Sequence, residues 1–167
     1  MKKTLLFLPA LFFTISTQAQ SGVDTVLKKS PVRTLTDQQY NAYLKGIDLS
    51  DLAYVAQINH YPLPDKMLQY KKELDLSPGQ ISGITAIVKQ LQMKRLEIGA
   101  SVIRNERVLD SLFRTNKADD GTIIFYGNRY GLYEGEYRTA VMQACYRTQK
   151  LLTERQVKKF EALQKHN

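Results

Sequence analysis

The sequence predicts an all-α protein built around a long antiparallel helical hairpin. Apolar residues recur at three- and four-residue spacing over long stretches, strand-like alternation is nearly absent, and one helix-opening pattern occurs three times. The chain has 167 residues, 43% apolar and 24% charged, proportions that support one domain with a buried core. A single cysteine excludes an intramolecular disulfide framework and any Cys-rich zinc module.

Met1-Lys2-Lys3-Thr4 is a short cationic start, Leu5 to Ile15 is almost wholly apolar, and Thr17 and Ala19 place small residues before a cut. This is the layout of a secretory signal peptide over residues 1–19. Its apolar run falls short of the roughly 20 residues that span a bilayer. The expectation is an exported protein whose mature chain is soluble outside the cytoplasm.

Residues 20–34 carry little apolar periodicity and read as a flexible leader. Thr36 to Lys45 reads as a short helix ending at Gly46, and Asp51 to Asn59 as a second. Pro62 and Pro64 interrupt the chain before a short helix from Asp65 to Glu73. A leader with short helices over 20–59 is thus expected to precede a hairpin domain over 60–167.

From Ser77 to Lys117 the apolar stripe reads Ile81, Ile84, Val88, Leu91, Ile98, Val102, Leu109 and Leu112, with Arg95 and Asn105 as polar interruptions. Such a helix runs roughly 60 Å at 1.5 Å per residue and needs a partner along its length. After a turn expected at Ala118-Asp119-Asp120-Gly121, a second stripe runs Ile123, Tyr126, Tyr130, Tyr133, Tyr137, Ala140, Ala144 and Leu151. Two long helices joined by a short turn pack antiparallel. Gly127, Gly131 and Gly135 fall on one face of the second helix, each at a cost of about 1 kcal/mol relative to alanine. Two accounts stand: close approach of another helix, or a helix that starts or bends near Gly135. Cys145 reads either as a small buried side chain or as a disulfide partner across a dimer.

The repeated pattern is Leu35-Thr36-Asp37-Gln38-Gln39, Leu76-Ser77-Pro78-Gly79-Gln80 and Leu152-Thr153-Glu154-Arg155-Gln156. In each, the hydroxyl caps a first-turn N–H while the Gln reaches back to the cap residue's own N–H. The preceding Leu can pack on Tyr40, Ile81 or Val157, and Pro78 takes the first helical position. These are helix-start signals without functional content of their own.

The net charge is +8, or +6 once Lys2 and Lys3 are removed with the leader. The excess lies on the long helices and the tail: 77–117 and 121–167 each carry +4, whereas 20–76 is neutral. Export disfavours nucleic acid and leaves acidic surfaces as partners: unfolded polypeptides, anionic lipid or polysaccharide. His60 and His166 have no nucleophile at motif spacing, and no phosphate loop, His-Glu-x-x-His or Gly-x-Ser-x-Gly occurs. Glu134 and Glu136 point to different helix faces. An enzyme is not expected.

The motifs Leu76–Gln80 and Leu152–Gln156, about 75 residues apart, resemble the Spy/CpxP family of periplasmic helical proteins. The lead-in from Tyr61-Pro62-Leu63-Pro64-Asp65 to Tyr70-Lys71-Lys72-Glu73-Leu74 resembles that family's heavy-metal sensor/resistor branch, of the CnrX and ZraP type. The resemblance covers residues 60–164 and implies a periplasmic, cradle-shaped homodimer in the envelope stress response. It implies an ATP-independent chaperone that holds unfolded clients on a basic face, with Lys94, Arg95, Arg104, Arg107, Arg138 and Arg147 as candidate contacts. The tyrosines are assigned mainly to hairpin packing. Two alternatives follow from the same family: a transition-metal sensor, and an adaptor for the outer domain of a membrane stress sensor. Metal-binding members use several His, often with Glu or Met. Here His60 alone offers itself, with Met67, Met93 or Glu97 if the fold brings them near, so no cofactor is assigned.

Overall fold

The computed structural model describes residues 27–164, and within them the chain is all helix and connecting turns, without a strand. The all-α class expected from the sequence is therefore the class the chain adopts. The helices are α1 (Asp37–Lys45), α2 (Tyr54–Gln57), α3 (Pro64–Gln69), α4 (Pro78–Arg114), α5 (Asp120–Gln149) and α6 (Glu154–Gln164). None is long and apolar enough to cross a membrane. The expected signal peptide, residues 20–26 and His166 lie outside the described residues.

α4 is the spine, about 55 Å long at 1.5 Å per residue. Its buried stripe of Leu91, Ile98 and Val102 packs on Tyr137, Val141, Ala144 and Cys145 of α5. The two run antiparallel. Asn105 Nδ2 donates to the Tyr126 carbonyl at 3.0 Å near the turn, Lys94 meets Glu136 midway, and Arg147 reaches Gln90 at the far end. Asn105, a polar interruption in the sequence, is thus a buried tie between the helices. Met67, Leu74, Leu76, Ile84 and Phe160 form a second core where α3, α4 and α6 converge.

All three Leu-Thr/Ser-x-x-Gln segments form capping boxes. Thr36, Ser77 and Thr153 each accept from the backbone N–H three residues on, and Gln39, Gln80 and Gln156 each accept from the cap residue's N–H. Two of the boxes meet in space. Gln80 Nε2 donates to Gln156 Oε1 at 2.8 Å, Gln156 Nε2 donates back to Gln80 Oε1 at 3.1 Å, and Gln80 also donates to the Leu151 carbonyl. The starts of α4 and α6 are thereby joined through the residues that cap them.

Several expectations are corrected. Residues 27–35 are not a loose leader: Val32 and Leu35 are buried against Ile103, and Lys28 exchanges two hydrogen bonds with the Asn41 side chain. The helix expected over Asp51–Asn59 shrinks to Tyr54–Gln57, and the one over Asp65–Glu73 to Pro64–Gln69 with Pro64 at its first position. Asp119-Asp120-Gly121 opens α5 rather than forming a turn, because Asp119 caps Thr122 while Thr122 Oγ1 accepts from the Asp119 N–H. The reversal falls at Thr115–Ala118, with Asn116 left-handed at φ 53°. α5 is continuous through Gly127, Gly131 and Gly135, which removes the late-start account. A Cβ at any of the three would meet nothing within 4 Å, so among the described residues no other helix approaches them.

The glycine that does permit close approach is Gly99 on α4. A Cβ there would lie 2.3 Å from the Tyr43 carbonyl oxygen, where α1 crosses the spine. Only hydrogen fits at that crossing. The tyrosine stripe divides along α5: Tyr137 is buried, Tyr126 and Tyr133 are half-buried, and Tyr130 is exposed along with Ile123. Packing by these tyrosines fades toward the hairpin tip, where no third element among the described residues covers α5.

Candidate functional site: the groove between the long helices

Along one side of the α4–α5 pair runs an open groove of about 710 Å³. Ile87 and Leu91 of α4 with Ala140 and Ala144 of α5 make an apolar floor. Gly131, Gly135 and Thr139 keep one wall low, and Leu132, 59% exposed, extends the apolar surface past the rim. Lys94 and Arg147 are the cations of this groove, opposed by Glu136 alone among acidic lining residues.

The six basic residues assigned from sequence therefore separate. Lys94 and Arg147 line the groove. Lys94 Nζ lies 3.1 Å from Glu97 Oε1 and 3.4 Å from Glu136 Oε2, which raise its pKa, with Glu97 the larger influence. Arg147 is exposed and donates weakly to Gln90 at 3.4 Å, so it is the less committed charge. Arg104 and Arg107 are exposed on α4 and line no part of the groove; Arg107 is nine residues past Ile98, half a turn from the buried stripe. Arg138 is exposed on α5 outside the groove. Arg95 is not on an open face. It is half-buried, its Nε lacks a hydrogen-bond partner, and it lines a separate cavity with Lys45, Asp48 and Asp65.

The residues proposed for metal do not converge. His60, left-handed at φ 68°, places Nδ1 2.5 Å from Glu161 Oε1 on α6. Met67 is enclosed in the α3–α4–α6 core, whereas Met93 and Glu97 are exposed on α4. Among the described residues no three His, Cys, Asp or Glu side chains are grouped to hold an ion. Cys145 is fully buried in the main core, and burial pushes its thiol up to about 11, so it is the enclosed apolar side chain of the first reading.

Sequence reasoning missed the neutral groove residues Leu132, Thr139 and Gln143, which lie off the core stripe. Their signal was only the angular offset from that stripe, and its value depends on how the two helices are rotated against each other. No family model, curated protein or solved structure matches this chain.

Proposed function

We propose that this chain is an exported, ATP-independent chaperone-like protein that holds unfolded polypeptides in the α4–α5 groove, as a periplasmic homodimer of the envelope stress response. The observation that carries the reading is the groove itself: an apolar floor with cations at its margin, open to solvent, on a chain that keeps a net charge of +6 without Lys2 and Lys3. The joined capping boxes at Gln80 and Gln156 also support it, because the two motifs behind the Spy/CpxP resemblance act as one structural unit.

The mechanism has two stages of different range. The positive field draws acidic segments in over about 8–10 Å at moderate salt. Apolar side chains then settle on Ile87, Leu91 and Leu132 at about 0.8 kcal/mol per buried CH₂. A shallow site engages few such groups at a time, which keeps the hold weak and reversible. Release needs no nucleotide, since a client that folds withdraws its own apolar groups.

Aggregation of a denatured client, followed by light scattering with residues 20–167 and no nucleotide, tests this. A small molar excess is expected to suppress aggregation. Suppression is expected to weaken at about 1 M salt, where the Debye length falls to about 3 Å. Absence of suppression at any ratio would contradict the assignment.

A further inference from the structure

Gly127, Gly131 and Gly135 weaken α5 as a helix, and among the described residues no other helix comes close enough to use the space they leave. They belong to a longer band. Asp120 and Arg138 are 18 residues apart, about five turns, so they share one face of α5, and Ile124 and the three glycines fall on that face between them. The band runs about 27 Å at 1.5 Å per residue. All six residues are exposed, and Ile124, at 62%, is the most exposed large apolar side chain among the described residues. Asp120 and Arg138 form no ion pair among the described residues.

The same face is covered further along. Cys145, seven residues past Arg138 and in phase with it, is fully buried in the main core with Ala53. The face is therefore closed by the protomer at one end of α5 and bare from Asp120 to Arg138. Bare glycine backbone beside an exposed isoleucine is a surface that another helix can approach closely.

We propose that a second copy of this chain covers the band, α5 against α5 and antiparallel. The charges select both the occupant and its direction. An antiparallel copy sets Asp120 against the second copy's Arg138 at one end and repeats the pair at the other, with no charge on the face between. A parallel copy would oppose like charges at both ends. The two-fold axis then falls between Gly127 and Gly131, so each of these meets the other across the axis. Ile124 lies beside the second copy's Gly135, whose missing side chain makes room for it. The second copy also completes the groove: Gly131 and Gly135 are its low wall, and a helix seated on them raises that wall beside the apolar floor. This surface rests on the homodimer of the reading above, not on the holding of clients.

Sedimentation equilibrium of residues 20–167 at low salt, from about 1 to about 500 µM, tests the surface. A concentration-dependent dimer is expected. Gly131→Gln sets a long polar side chain where the copies meet, and its Cβ touches nothing in the protomer, so the variant keeps its fold. It is expected to weaken association by about tenfold or more. Asp120→Arg and Arg138→Asp are each expected to weaken it by about tenfold, because each opposes like charges at both ends. A mixture of those two variants is expected to associate like the wild type, since every Arg then meets an Asp. Arg104→Glu, on α4, is expected to change nothing. A Gly131→Gln chain that dimerises like the wild type, or a mixture no tighter than its components, would overturn this surface and leave the homodimer standing. A wild-type chain that is monomeric throughout would overturn the surface and the homodimer together, with the holding of clients still decided by the aggregation assay.

Discussion

Glycine serves opposite purposes on the two long helices. At Gly99 the α1 backbone lies so near that a methyl group would meet the Tyr43 carbonyl at 2.3 Å, and backbone on both sides cannot yield cheaply. Gly99→Ala is therefore expected to destabilise the fold by about 1–3 kcal/mol, the usual range for overpacking. At Gly131 an added Cβ would meet nothing within 4 Å among the described residues. Gly131→Ala on the dilute protomer is expected to stabilise by about 0.4–1 kcal/mol through chain entropy and helix propensity. Thermal melts of the two variants should move in opposite directions. A rise for both would mean that α1 does not press on α4 as described. The sequence marked the glycine trio and passed over Gly99, because a lone glycine inside a helical stripe carries no sign of what crosses it.

At the scale of elements, helix starts were the most legible features. Each Leu-Thr/Ser-x-x-Gln segment encodes its own cap within five residues, and local chemistry of that kind survives any tertiary arrangement. What five residues cannot encode is that two such caps face each other. The Gln80–Gln156 pair makes a prediction: Gln80→Ala and Gln156→Ala should each cost about 1 kcal/mol. The double variant should cost less than their sum by about 0.5 kcal/mol or more, because either change alone breaks the shared amide pair. Strict additivity in denaturant melts would show that the two caps act separately. The start of α5 was misplaced for a comparable reason. Asp-Asp-Gly is turn-like in composition, and only Thr122 in the reciprocal position shows that Asp119 is a cap. The segment before α1 was misjudged because Val32 and Leu35 are too few to show periodicity, yet enough to fill a depression beside Ile103.

For the molecule as a whole, the apolar period predicted the all-α class and the long core stripe of α4, since both follow from which residues must leave water. The grouping of charges was not legible in this way. Six basic residues on two helices look alike in sequence, but helical phase sends Arg104 and Arg107 outward, turns Arg95 inward, and leaves Lys94 and Arg147 beside an apolar floor.

The central claim is that clients are held in the α4–α5 groove rather than on basic surface in general. Comparing groove and outer-face variants in the aggregation assay tests it most directly. Leu132→Ser with Arg147→Glu alters one apolar contact and one cation of the groove. Arg104→Glu with Arg107→Glu removes more positive charge from α4 outside the groove lining. The groove pair is expected to lose most of the suppression, by about tenfold in the ratio of protein to client required, while the outer pair retains it. Equal losses, or a greater loss from the outer pair, would show that net charge and not the groove does the holding.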